Sequence, residues 1–171
     1  MTDEALMICV KNGDLDKAGV LYERYKGRLY QYFIYRTFND ADASKDGVQQ
    51  VFMRLIKYRG SYREESNFRI WLYALAANVK KSEYINRRQH NHSPLDRASH
   101  ISYEMDNDDH KLLHEVLKMM PEQYREVLMM SRFWGLKYDE IAELQQCSVG
   151  VIKTRVYRAM QMLREAYLKF V

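Results

Sequence analysis

The chain has 171 residues, 27 Lys and Arg against 23 Asp and Glu for a net charge of +4, and 47% hydrophobic residues; that is room for one ordinary domain or two small helical ones. No stretch reaches the roughly 20 uninterrupted apolar residues of a membrane span, and Asp3 and Glu4 stand where a signal peptide carries basic residues, so membrane insertion and export are not expected. Its two cysteines, Cys9 and Cys147, lie far apart, which argues against a disulfide framework and for reduced thiols in a cytoplasmic protein.

In chain order, residues 2–12 read as a short helix carrying Leu6, Cys9 and Val10, with Gly13 suited to its C-terminal cap. A longer helix follows from Asp14 as N-cap, with Ala18, Leu21, Tyr22, Tyr25, Leu29, Tyr32 and Phe33 at helical spacing up to about Phe38, where Asn39-Asp40 breaks and restarts the chain. Residues 41–58 form the next periodic segment. It turns Val48, Val51, Phe52 and Leu55 inward and leaves Asp46, Gln49, Gln50 and Met53 on or near the exposed side, in chemical terms a solvated helix face.

Residues 59–67 read as a loop in which Ser66 or Asn67 caps the following helix. The buried stripe of that helix is Phe68, Trp71, Leu72, Leu75 and Val79, which makes Trp71 a core residue, while Tyr62 reads equally as a ring covering the loop or as one open to a partner. Lys80, Lys81, Arg87 and Arg88 extend the helix with positive charge. Such charge supplies phosphate affinity without sequence choice, or simply solubilises a helix end.

From Gln89 to about Asp106 apolar residues thin out and Pro94 interrupts any helix, so 89–107 is expected to be a flexible linker between domains at 1–88 and 108–171. Glu104, Asp106, Asp108 and Asp109 make an acidic patch between two basic segments. His90, His92 and His100, with His110 and His114 four apart on the next helix, have no cysteine or well-placed carboxylate beside them, so no metal site is expected.

Leu112, Leu113, Val116, Leu117 and Met120 define the next helix; Pro121 stops it and starts another, with Tyr124, Val127, Leu128 and Met130 facing inward until Gly135. Ser131 and Arg132, near its end, are placed for contact with a DNA backbone. Then come a short helix at 138–144 with Ile141, Ala142 and Leu144 as its apolar side, three residues, and a long helix at 148–168 capped by Ser148. Val149, Ile152, Val156, Ala159, Met160, Leu163 and Tyr167 gather on one side of it; Thr154, Tyr157, Arg158 and Gln161 point the other way. Two helices so close must cross steeply, as in a helix-turn-helix. An ordinary helical hairpin with a charged face is the alternative, against which stand Lys153, Arg155, Arg158 and Arg164 facing only Glu165.

The run Pro121-Glu122-Gln123-Tyr124-Arg125-Glu126-Val127-Leu128, then Gly135-Leu136-Lys137-Tyr138-Asp139-Glu140-Ile141-Ala142-Glu143, then Ser148-Val149-Gly150-Val151-Ile152-Lys153-Thr154-Arg155 with Arg158-Ala159 and Leu163-Arg164-Glu165, resembles the promoter-reading C-terminal domain of bacterial extracytoplasmic-function sigma factors. The family usually has Ser or Thr where Lys137 stands and Gly where Gln146 stands. Without that Gly the turn is expected to hold a non-Gly residue at positive φ, a strain of order 1 kcal/mol.

The resemblance implies an all-α, two-domain sigma factor whose partners are core RNA polymerase, through the clamp helices of the largest subunit and the flap of the second, and promoter DNA; members are often held by anti-sigma proteins. Asp46, Gln49 and Gln50 would meet the clamp helices, the family's usual acidic pair appearing here as Lys45-Asp46 and its Gln-Glu as Gln49-Gln50. Tyr62, Arg63, Trp71, Asn78, Lys80, Lys81, Arg87 and Arg88 would open the minus-ten element, Tyr62 and Asn78 helping to hold a flipped base. Ser131, Arg132, Lys153, Thr154, Tyr157 and Arg158 would contact the minus-thirty-five element, with Arg155 to the side for phosphate or internal pairing.

Other classes fit less well. No phosphate-cradling glycine loop, credible metal cluster or nucleophile beside a base marks an enzyme, and no catalytic residue or cofactor is expected. A stand-alone helix-turn-helix regulator leaves the N-terminal unit without an effector pocket. A helical adaptor leaves the basic face unexplained.

Overall fold

In the computed structural model, described for residues 1–37, 40–79 and 108–169, every regular element among the described residues is helical. The chain divides into two compact units, Met1–Tyr103 and Glu104–Val171. Lys80, Lys81, Arg87, Arg88, the expected linker at 89–107 with His90, His92 and His100, and the side chains of 108–110 lie outside the described residues.

In the first unit, Thr2 Oγ1 accepts the Ala5 N–H at 3.2 Å and opens α1 (Asp3–Lys11). Gly13, at φ +105°, closes it, its N–H donating to the Val10 carbonyl while the Asp14 N–H donates to that of Cys9. Asp14 is thus drawn into the end of α1 and does not cap α2 (Asp16–Arg36), which starts after Leu15 with no side-chain cap. Asp40 Oδ1 accepts the Ala43 N–H at 3.0 Å and opens α3 (Ala41–Lys57). The buried Thr37 and Ser44 hydroxyls, 2.8 Å apart, pin the joint between α2 and α3. Of the two expected caps of α4 (Phe68–Ala77), Asn67 does the work, its Oδ1 accepting the Ile70 N–H at 3.2 Å.

Helix α2 packs against both α1 and α3, and α3 against α4. Leu21, Leu29, Phe33, Val51, Leu55 and Leu72 fill the middle, each fully buried and each worth about 1.5–3 kcal/mol of transfer free energy. Because two helices cover α3, its buried face is wider than a periodic stripe and takes in Ala43, Ser44, Gly47 and Gln50. Gln50, expected near the exposed side, is only 8% exposed. Trp71 and Leu75, expected in the core, are half-buried.

The second unit holds α5 (Asp108–Met119), α6 (Glu122–Leu128), a π-helical turn (Met129–Phe133), α7 (Tyr138–Gln145) and α8 (Val149–Lys169). Helix α8 rests on α6 and α7 through Ile152, Val156 and Ala159, with Val127, Leu128, Trp134 and Ile141 beneath. His114, weighed as half of a metal-binding pair, is buried within this unit. Gly135 ends the π turn at φ +64°.

Candidate functional site

The joint between α7 and α8 is built by backbone chemistry. Gln146 sits at φ 53°, ψ 46°, in the left-handed region, the only non-Gly residue at positive φ among those described. Its N–H donates to the Glu143 carbonyl, and the Cys147 N–H to that of Ala142 at 3.0 Å. That closure satisfies carbonyls at the end of α7 at the cost of about 1 kcal/mol of strain. Ser148 Oγ then accepts the Val151 N–H at 3.2 Å and opens α8. Lys137 has no side-chain acceptor, so only half of a reciprocal cap forms at the start of α7: Glu140 Oε2 accepts the Lys137 N–H at 2.7 Å.

Arg155 Nη1 donates to Gln145 Oε1 at 2.9 Å and ties α8 to α7, an internal pairing, where its sideways placement had left phosphate contact and internal pairing both open. Lys153, Thr154, Tyr157 and Arg158 are all exposed on the outer face, Tyr157 to 66%. Thr154 Oγ1 donates to the Gly150 carbonyl at 3.0 Å, which leaves its lone pairs to accept from a ligand. Around Gly150 the space is open, with only Ser148 Oγ, at 3.8 Å, near a hypothetical β-carbon. Val149 and Met160, expected on the dry face, are exposed in part, because α6 and α7 cover a strip centred on Ile152, Val156 and Ala159.

The π turn was not foreseen. Its wide closure, the Trp134 N–H donating to the Met129 carbonyl at 3.1 Å, carries Met130 and Trp134 inward and leaves Arg132 exposed. Ser131 is half-buried, its hydroxyl 3.4 Å from the Leu128 carbonyl. A run of apolar residues with Gly behind it gives no sequence signal for such a bulge.

In the first unit, Arg63 and Asn78 are exposed and Trp71 half-buried, but Tyr62 has no exposed surface. Its ring meets Trp71 edge-on at 5.2 Å between centroids and Phe68 at 6.3 Å, and its Oη donates to the Ser66 carbonyl at 2.7 Å. Burial, with the charges of Glu4 and Asp3, pushes the hydroxyl pKa up to about 12. In this arrangement Tyr62 covers the loop, as its plainer reading had it, and offers no ring face to a base.

On α3, Asp46 is half-buried and Gln49 exposed, and Met53 and Ile56 continue the stripe at 55% and 36% exposure. Their positions, 46, 49, 53 and 56, repeat at the three-and-four spacing of a coiled-coil seam. Ile56 was not singled out from the sequence, although that spacing reaches it. Gln50, buried beside the stripe, presents no such surface.

Residues 21–90 match sigma-70 region 2 and residues 110–163 match sigma-70 region 4. The RNA polymerase sigma-H factor of Pseudomonas aeruginosa is 26% identical over 96% of this chain and 93% of its own. The ECF RNA polymerase sigma-E factor of Haemophilus influenzae is 29% identical over 95% of this chain and 94% of its own. Among solved structures, CnrH in complex with the cytosolic domain of CnrY has the same fold, with a TM-score of 0.71, 22% identity and coverage of 98% of this chain and 97% of that one. The sigma factor RpoE in complex with the anti-sigma factor NepR from Bartonella quintana gives 0.64 at 21% identity, over 86% of this chain and 96% of that one.

A region 2 unit followed by a region 4 unit defines a sigma-70-type initiation factor. Within that class, the chain belongs to the extracytoplasmic-function sigma factors and directs transcription initiation.

Proposed function

We propose that this sigma factor divides promoter opening between its two units while riding on core RNA polymerase in the cytoplasm. The observation that carries the reading is the outer face of α8, where Lys153, Thr154, Tyr157 and Arg158 stand exposed on a helix braced by the Arg155–Gln145 bond. Cations and hydrogen-bonding groups on the second helix of a helix-turn-helix suit a major groove. Here they read the minus-thirty-five element, with Arg132 and Ser131 near the flanking backbone.

The loop at 59–67 and the end of α4 take the minus-ten element, Arg63 and Asn78 supplying the exposed groups. The clamp helices of the largest polymerase subunit lie along Asp46, Gln49, Met53 and Ile56, where an exposed apolar stripe at coiled-coil spacing suits a helical partner. The second unit faces the flap of the second subunit. Two solved relatives are held by partner proteins, CnrY and NepR, which supports an anti-sigma partner for this chain as well.

Transcription in vitro tests the whole reading. Purified core polymerase with this chain should start transcripts from a subset of a promoter pool, and core alone should not. Binding to DNA without initiation would leave a stand-alone regulator instead.

A further inference from the structure

Helix α1 carries none of the residues assigned above to DNA or to the polymerase. Yet it bonds the segment that joins α3 to α4 at two points, at Tyr62 midway along it and at Phe68 where α4 begins. Lys11 Nζ donates to the Tyr62 carbonyl at 2.8 Å, across 51 residues of sequence, and Glu4 Oε1 accepts the Phe68 N–H at 3.2 Å, across 64. Glu4 and Lys11 are seven positions apart, about two turns or 10 Å along one helix face. Between them α1 is anchored by Leu6, Met7 and Val10, all buried.

Both contacts use charge where the loop needs it. The Lys11 ammonium gives a charge-assisted hydrogen bond to a carbonyl that no helix uses, and the Glu4 carboxylate sits at the positive N-terminal end of α4, beside the Asn67 cap. Inside the loop, Tyr62 Oη bonds the Ser66 carbonyl and the Ser66 N–H bonds that of Arg63 at 3.0 Å. Held from outside at Tyr62 and Phe68 and closed from within between them, the loop leaves Arg63, Glu64 and Glu65 exposed at its tip.

We infer that Lys11 and Glu4 are positioning residues for minus-ten recognition: α1 is a strut that sets the shape of the loop at 59–67, and through it the sequence preference for the unpaired strand. The inference rests on the reading of that loop given above. Neither residue touches DNA in this account, and Tyr62 acts by locking the loop rather than by stacking on a base.

The test compares initiation by core polymerase on two promoters that differ only in the minus-ten element, matched and altered. With the native chain the matched template should be preferred. Lys11→Met should cut that preference about tenfold, the scale of one lost charge-assisted hydrogen bond, with core affinity unchanged, and Lys11→Arg should restore it. Glu4→Gln, which keeps an acceptor but loses the charge, should lower it by a smaller factor. An unchanged preference in both Lys11→Met and Glu4→Gln overturns the strut.

A loss in Lys11→Met that is equal on both templates and accompanied by weaker core binding makes Lys11 a folding residue and also overturns it. A native chain that does not distinguish the templates sinks the minus-ten reading instead. The strut is then judged by amide exchange, which should quicken across 59–67 in Lys11→Met and spare α2 if it stands.

Discussion

A β-carbon placed on Gly47 would lie 2.7 Å from the ring of Phe33, so α3 approaches α2 as closely as it does only because residue 47 has no side chain. Phe33 is fully buried, so its ring is hemmed in by neighbours. Gly47→Ala gains helix propensity but forces the ring or the helices to move, and the balance should be a loss of about 1–2 kcal/mol. Urea unfolding followed by far-UV circular dichroism should show an earlier midpoint. Adding Phe33→Leu should recover part of it, and a midpoint at or above the native value would mean the ring has room.

Gln146 offers the opposite case. Gly at this left-handed position should relieve about 1 kcal/mol, which raises the midpoint of a small domain by about 4–8 °C. The chain has two tryptophans, Trp71 and Trp134, one in each unit. In a Trp71→Phe background the fluorescence of Trp134 therefore reports the second unit alone. A midpoint for Gln146→Gly no higher than that of its parent would show that the Gln side chain compensates the strain.

These two positions mark where the sequence could and could not be read. The missing Gly at 146 announced its own strain, because family pattern and backbone sterics meet at one residue. Ser148, and Asn67 as one of two candidates, were legible because capping is local. Gly47 against Phe33, Lys11 against Tyr62 and the buried Gln50 were not, since each depends on which helix covers which, and periodicity within one segment carries no record of its neighbours. The outer face of α8 was foreseen because an exposed face is what remains after a narrow apolar strip is assigned. Tyr62 was left open because an aromatic ring in a loop fits a core and a ligand pocket alike.

Tyr62 and Tyr25 give the first unit an alkaline limit. Burial pushes the hydroxyl of each up to about 12, aided for Tyr25 by its hydrogen bond to Asp3 and for Tyr62 by the charge of Glu4. With folded values above the unfolded value of 10.0, the folded state keeps protons that the unfolded state has lost. That stability is complete below pH 10 and falls as pH rises towards 12. Titration at 295 nm should find Tyr25 and Tyr62 ionising well above pH 10, together with loss of helix in the first unit. Ionisation of all tyrosines near pH 10 with the fold intact would contradict this.

Met53 and Ile56 should dominate the hold on core polymerase. Exposed apolar residues on a folded surface gain most when a partner covers them, and truncating or charging one such anchor commonly costs 2 kcal/mol or more, roughly thirtyfold in affinity. Met53→Glu should therefore weaken core binding by about that factor while leaving duplex binding by the second unit as it was. Gln50→Ala should instead lower thermal stability, because Gln50 is packed inside. Core affinity indifferent to Met53→Glu would move the interface off α3.

Arg158 decides whether the second unit chooses its DNA or only holds it. The side chain is exposed beside Tyr157 and Thr154, with no bond to α7 of the kind that restrains Arg155. A bidentate contact to a guanine edge is worth about 1–3 kcal/mol and is lost on a mismatched duplex, whereas a phosphate contact is worth the same on any sequence. If Arg158 reads a base, Arg158→Ala should weaken binding to the matched minus-thirty-five duplex about tenfold or more and barely change binding to a mismatched one. An equal fall on both, with a shallower dependence on salt, would make it a phosphate contact and shift the reading to Lys153 and Tyr157.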